Sequence, residues 1–285
     1  MTGSPFHSDV LESAQGLTPD FYLCALLAPK AARDDLIALA AFKGTIENIC
    51  FRVSEPLIGD IRLQWWCDWL QGLPGNGQSG HPIADTMATV IARNNLAAKS
   101  IHRMLDAQRT HIYSSPVLQM KNLFADLVNA DGMAFTCAAQ ILGEPVSIEL
   151  LMASAAAGRA YGLVRLITHL RDHAARGYWP LPPAPEQSAR NKPANSSMNL
   201  VVDKERSTER RASVELAIVA ARSQLQSARA IIAQLPKSAH PAFLPLALVE
   251  PYFKCFERQT GDPLMMRMDL SPLVRRWILW RASKF

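Results

Sequence analysis

The sequence predicts an all-α fold, and three observations carry that expectation. Apolar residues recur with helical period along nearly the whole chain, helix-start signals recur between those segments, and no stretch alternates apolar and polar residues as a half-buried strand does. A length of 285 residues allows one or two domains with a large core. Hydrophobic residues make up 49% and charged residues 19%. That balance excludes a disordered or solvating chain, because there is ample apolar surface to offset chain entropy.

Taken in order, residues 1–17 are expected to be disordered. Thr18-Pro19-Asp20 reads as a helix opening, with a capping hydroxyl, a first-turn proline and an acid favoured by the helix dipole. Its helix runs to about Leu27. After Pro29 a longer helix spans about Ala31–Val53, with Leu36, Leu39, Phe42, Ile46 and Ile49 on its apolar side. Ser54-Glu55-Pro56 opens the next, which carries Trp65, Trp66 and Trp69, and the segment 72–82 (GLPGNGQSGHP) is a loop by composition. Further helices are expected near 83–94, 97–112, 116–142, 146–173, 207–234, 240–258 and 272–283. The polar, proline-rich stretch around 183–206 is expected to be a mobile loop within one domain covering residues 1–285.

Net charge is +5, but it is unevenly placed. Arg258, Arg267, Arg275, Arg276, Arg281 and Lys284 face only Asp262 and Asp269 in the last segment, so the body is near neutral. A nucleic-acid binder would spread its basic charge, and no nucleic-acid partner is expected. Cys24, Cys50, Cys67, Cys137 and Cys255 are scattered without a Cys-x-x-Cys pair, which reads as reduced structural thiols. No uncharged apolar run approaches the roughly 18 residues that span a bilayer. The start has neither a basic nor an apolar signal region. The expected location is cytoplasmic, with peripheral attachment to the inner face of a membrane.

Several kinds of chemistry can be weighed from the residues. His169 and His173 lie one helical turn apart, a spacing that can hold a metal, but without a third ligand they read as polar groups near a helix end. No Walker or Rossmann glycine loop and no Gly-x-Ser-x-Gly turn is present. Residues 38–70 are more informative, with Glu47, Glu55, Asp60 and Asp68 beside Lys43, Arg52 and Arg62 and the aromatic run Arg62-Leu63-Gln64-Trp65-Trp66. So are residues 155–182. There, Ala155–Ala157, Gly158, Ala160 and Gly162 allow close helix packing or room for a ligand, and Arg159, Arg165, Arg171 and Arg176 suit phosphate oxygens.

These two segments resemble the squalene/phytoene synthase family, all-α enzymes that join two prenyl diphosphates head to head. The resemblance rests on Ala38-Leu39-Ala40-Ala41-Phe42, on Val53-Ser54-Glu55-Pro56 through Trp66, and on Leu170-Arg171-Asp172 running into Arg176-Gly177-Tyr178. It implies an isoprenoid-synthase fold with a central apolar cavity. It also implies two aspartate-rich motifs holding Mg²⁺, which neutralises and releases diphosphate. At the first motif this chain has Glu47-Asn48-Ile49-Cys50-Phe51, and Gly44 replaces the usual basic residue beside Lys43. At the second, Asp172 remains, Arg176 stands four residues later, and Thr168 replaces an asparagine. On that mapping Glu47 and Asp172 are the remaining metal candidates, and Lys43, Arg171 and Arg176 the diphosphate candidates; the catalytic residue itself is not identified. The form of residues 53–66 is most similar to a branch with weakened aspartate motifs, which includes the mitochondrial assembly factor of respiratory complex I. The expected function is therefore a non-catalytic prenyl-lipid-binding or assembly-type protein with respiratory complex subunits as partners and no cofactor. The alternative is an active prenyltransferase that uses Mg²⁺ and prenyl diphosphates.

Ser271-Pro272-Leu273 reads as a cap and first turn. Leu273, Trp277 and Trp280 then fall on one stripe, with Arg275 and Arg276 off it and Arg281 near it. Two readings follow: a basic amphipathic helix with Trp277, Trp280, Arg275 and Arg276 at a membrane surface, or a terminal helix docking its tryptophans on the core.

Overall fold

Helix packing begins with a helix that the sequence did not announce. The computed structural model describes residues 8–53, 55–73, 78–113, 117–184 and 204–284. Within it α1 (Ser8–Leu17) buries Val10 and Ala14 and packs along α3 (Lys30–Arg52), so the expected disorder of residues 1–17 is corrected for Ser8–Leu17. Residues 185–203, most of the expected mobile loop, lie outside the described residues. No strand occurs among the described residues, as the missing period-2 pattern implied.

Between α1 and α3 sits α2 (Pro19–Leu27). Thr18 does not cap it with its side chain; its hydroxyl donates instead to the Ala40 carbonyl at 2.8 Å, pinning the α1–α2 corner to α3. Gly44 makes that corner fit. A Cβ there would meet the Leu17 Cβ at 2.6 Å, so glycine at this position is required by packing. α4 (Pro56–Gln71) packs on α3 through Trp66, whose ring meets Phe42 edge-on at 5.3 Å. α5 (Pro82–Arg93) is tied to α3 by Arg93 and Asn94, which donate to the two oxygens of Asp35 at 2.9 and 2.8 Å. α6 (Ala98–Ile112) packs against both α4 and α3.

Three expected helices are broken, each for a physical reason. The 116–142 segment becomes α7 (Met120–Leu127), a π-helical turn at Val128–Gly132 and α8 (Met133–Ile141). The extra residue in the turn brings Asp131 into the core, where such insertions often serve a site. The 146–173 segment splits at His169 into α9 (Ile148–Thr168) and α10 (Leu170–Ala175). The 240–258 segment starts as a 3₁₀ run, Lys237–Leu248, because Pro241 and Pro245 lack the N–H an α-helix needs, and only then becomes α12 (Val249–Glu257). α11 (Lys204–Ile232) lies along α9, and α13 (Pro272–Ala282) closes on α2 and the 3₁₀ run.

α9 is the axis of the molecule. It is long and apolar enough to cross a membrane, yet 72% of its most apolar window is buried, mainly against α11 and the π turn. Its small residues serve close approach: a Cβ on Gly158 would meet the Gly132 amide nitrogen at 2.3 Å, and one on Gly162 would meet Asp131 Oδ2 at 2.7 Å. The apolar centre holds packed rings. Phe21, Phe135, Tyr161 and Phe243 are joined by centroid distances of 5.4–6.2 Å. All five cysteines are free.

Substituting Gly158 by Ala is expected to lower stability by at least about 1–3 kcal/mol, the usual cost of overpacking, because the obstacle is backbone. Gly16→Ala, at an exposed helical position with nothing within 4 Å, should be neutral or stabilising. Thermal melts of the two variants check this, and equal melting temperatures would contradict the packing role.

Candidate functional site

Four side chains meet where the π turn faces α3 and α9. Lys43 is 1% exposed, and its Nζ contacts Glu47 Oε1, one helical turn on, and Asp131 Oδ1 at 2.8 Å, with the Phe21 ring 5.3 Å away. Arg165 reaches in from α9, donating to Asp131 Oδ2 at 2.9 Å and lying 3.3 Å from Glu47 Oε1. Two cations and two carboxylates form a closed, charge-balanced ring. Burying a single charge would cost several kcal/mol, so the ring persists because each member has two partners of opposite sign. Burial alone would raise the Asp131 carboxyl, but Arg165 and Lys43 outweigh it and hold the group well below its ordinary value. Arg165 is correspondingly held protonated by Asp131 and Glu47 against its own desolvation.

Beside the ring lies a second buried group. His111 and His173 have centroids 5.8 Å apart, Tyr178 lies 5.6 Å from His173, and Phe51 covers His173 at 5.0 Å. His111 Nδ1, both ring nitrogens of His173 and the Tyr178 hydroxyl have no hydrogen-bond partner. Burial drives His111 down to about 3 and His173 to about 2, with Arg165 adding to both, so the two rings are neutral.

The sequence-derived candidates are dispersed by this arrangement. Glu47 and Lys43 lie in the ring. Asp172 and Arg171 sit on the exposed side of α10. Arg176 caps α6, donating to the carbonyls of His111 and Ile112 at 3.3 and 3.4 Å. His169 and His173 do not act together: His169 Nδ1 bonds the Arg165 carbonyl at 2.9 Å, while His173 is turned into the core. Among the described residues no three His, Cys, Asp or Glu side chains come together as a metal site. Sequence reasoning did not single out Asp131; the signal was an acid inside the otherwise apolar run Ala130–Phe135. Nor did it find His111.

On α13 the expected stripe is real but faces outward. Leu273, Trp277 and Trp280 are 77%, 55% and 48% exposed, and the helix buries Leu279 instead. Arg275 is corrected: it does not lie at a membrane-facing edge but turns inward, 3.1 Å from Asp20 Oδ1 and 2.8 Å from Asp269 Oδ1. Asp20 also accepts from the Tyr161 and Tyr252 hydroxyls at 2.9 and 3.1 Å. Between α13 and α1–α2 lies a recess of about 520 Å³ lined by Tyr22, Leu23, Leu26, Leu27, Trp277 and Trp280.

Residues 15–277 match the squalene/phytoene synthase family. The chain belongs to that family. Among solved structures, a dehydrosqualene synthase covers 98% of the chain and 96% of its own length with a TM-score of 0.76 at 13% identity. The squalene synthase HpnC from Alicyclobacillus acidocaldarius covers 90% of the chain and 96% of its own, with a TM-score of 0.71 at 15% identity. Both therefore show the isoprenoid-synthase fold. Among curated proteins, the human NADH dehydrogenase (ubiquinone) complex I assembly factor 6 is 24% identical over 277 residues, 92% of this chain and 78% of that protein. The Bos taurus protein of the same name is 25% identical over 274 residues, 90% of this chain and 77% of its own length.

Active members of the family are Mg²⁺-dependent, and the residues of this chain do not fit a Mg²⁺ cluster. Mg²⁺ asks for several carboxylate and water oxygens around an open position. Here Asn48 and Phe51 replace two of the first motif's acids, and Glu47 Oε1 and both Asp131 oxygens already face an ammonium or a guanidinium.

Replacing Asp131 by Asn leaves Lys43 and Arg165 sharing one carboxylate, and the expected loss is about 3–5 kcal/mol. The histidines add an acid sensitivity. The folded rings resist protonation while the unfolded chain takes up protons near pH 6.5, so stability is full above that pH and declines towards pH 3. The decline is up to about 1.4 kcal/mol per pH unit for each histidine. Denaturant unfolding between pH 7.5 and 5 should show it, and His173→Phe should roughly halve the slope.

Proposed function

We propose that this chain is a non-catalytic member of the squalene/phytoene synthase family, acting as an assembly-type protein for a respiratory complex. The observation that carries this reading is the closed ring of Lys43, Glu47, Asp131 and Arg165. A prenyl diphosphate synthase needs carboxylates left open to metal and cations left open to diphosphate; here each group of one kind is paired with the other. The curated relatives named as complex I assembly factors span most of the chain and supply the partner class. An active head-to-head transferase would have to work from Asp172 and Arg171 on an exposed helix, away from the shelter an allylic cation requires.

Incubation with farnesyl and geranylgeranyl diphosphates plus Mg²⁺ is expected to release no diphosphate above background. In cells lacking the chain, complex I content should fall and return with either wild-type or Asp172→Ala protein. Mg²⁺-dependent condensation abolished by Asp172→Ala would falsify this reading.

The same proposal places the chain at a membrane surface through α13. Its exposed Leu273, Trp277 and Trp280 are flanked by Arg276, Arg281 and Lys284, with Arg281 over the Trp277 ring at 5.6 Å and Lys284 over Trp280 at 3.7 Å. Tryptophan with flanking cations suits the headgroup region, and each cation adds about 1 kcal/mol on an anionic surface. The apolar recess beneath α13 is the surface best suited to a prenyl or other lipid chain. Flotation with anionic vesicles should recover the protein at low salt and release it at high salt, where the charges are screened. Trp277→Ala/Trp280→Ala should stay folded and fail to float. A wild-type protein that ignores anionic vesicles even at low salt refutes membrane attachment.

A further inference from the structure

On the side of α3 opposite Lys43 lies a second recess, of about 430 Å³, enclosed by α1, α3, α4 and α5. α3 contributes Thr45, Asn48, Ile49 and Arg52 to it, a face separate from the one that carries Lys43 and Glu47 into the ion-pair ring. Arg62 and the rings of Trp65, Trp66 and His81 form the opposite wall.

Its chemistry is one-sided. None of the lining side chains is a carboxylate, and neither Arg52 nor Arg62 has a hydrogen-bond or ion-pair partner among the described residues. Several other arginines meet carboxylates, among them Arg93, Arg109, Arg165, Arg210, Arg222 and Arg275. Two unpaired guanidiniums converging on one concavity are suited to a phosphate group, whose oxygens match their forked donors. The Asn48 amide adds a third donor one helical turn before Arg52. His81 accepts the Ala84 amide at Nδ1, which leaves Nε2–H as its donor, and burial lowers its tendency to charge.

A bare anion would leave most of this space empty. The volume falls in the range of small-molecule sites, roughly 300–1,000 Å³. Its remaining wall is aromatic and aliphatic: His81 lies 5.4 Å from Trp65 and 5.1 Å from Trp66, with Leu17, Ile49 and Ile83 alongside. Trp65 is 41% exposed at the edge, leaving ring surface for a planar or apolar body.

We propose that this recess binds an organic phosphate, with the phosphate on Arg52 and Arg62 and the body against Trp65 and His81. The inference is independent of the assembly role and of α13. The same chemistry is offered by a soluble phosphate ester and by a phospholipid headgroup.

The test is calorimetric titration of the full chain with phenyl phosphate, dihexanoyl phosphatidic acid and inorganic phosphate, with tryptophan fluorescence as a second readout. At least one of the two esters should bind at least tenfold more tightly than inorganic phosphate. Preference for phenyl phosphate assigns the site to soluble esters, and preference for the phosphatidic acid assigns it to a headgroup; either supports the proposal. Arg52→Gln/Arg62→Gln should abolish ester binding while leaving the melting temperature unchanged, since both side chains are exposed. Trp65→Ala should weaken the ester at least fivefold and leave inorganic phosphate unaffected. The proposal is overturned if neither ester binds, if inorganic phosphate binds as well as both esters, or if ester binding survives in the arginine double variant.

Discussion

A buried ammonium sets the terms for the centre of this protein. Lys43 enters from α3 and is 1% exposed, and the charged groups around it neutralise that ammonium. Glu47 does so from one turn away on the same helix. Asp131 does so from the π turn, and a regular helix through 128–132 would carry that carboxylate elsewhere. A second carboxylate would leave the centre negative, and Arg165 restores the balance. Gly158 and Gly162 on α9 are then obligatory, because only backbone hydrogen leaves room for the turn and the carboxylate it carries. Helix geometry, glycine placement and charge are thus one constraint viewed at three scales.

That constraint separates fold from chemistry. The helices of this isoprenoid-synthase fold here enclose an internal salt. Such a ring contributes little net stability compared with an apolar core of equal volume, since desolvation offsets most of its attraction. Its clearest consequence is specificity: only one docking of α3, α9 and the π turn satisfies all four groups.

Much of the fold was legible because helical period and proline punctuation are local signals. The helix over residues 30–52 and the opening at Ser271-Pro272 are read directly from spacing and caps. What escaped was non-local. The break at 128–132 carries an Asp131-Gly132 pair, but inside an otherwise helical pattern; it exists because Asp131 must reach Lys43 and because α9 offers glycines opposite. The hydroxyl of Thr18 looked like a cap and became a tether to Ala40, a choice decided by a helix twenty residues away. At the site, the departures from the aspartate motifs were visible in Asn48, Phe51 and Arg176. That Lys43 and Arg165 would pair with Glu47 and Asp131 was invisible, because they read equally well as ligands for phosphate. For α13 the stripe was located and its direction was left open between two readings, since only the position of Asp20 determines that Arg275, rather than the tryptophans, faces inward.

The three-partner cradle around Asp20 has an implication for how the chain matures. Asp20 is synthesised early, yet Tyr161, Tyr252 and Arg275 follow at long intervals behind it. A nascent chain that has emerged through α9 holds this carboxylate with a single phenol for company, and one that has emerged through α12 holds it with two and still lacks a counter-charge. The α2 corner is therefore completed only when α13 brings Arg275 to Asp20. Completion of the fold is registered near its beginning, by an acid that waits for the arginine to shut the door.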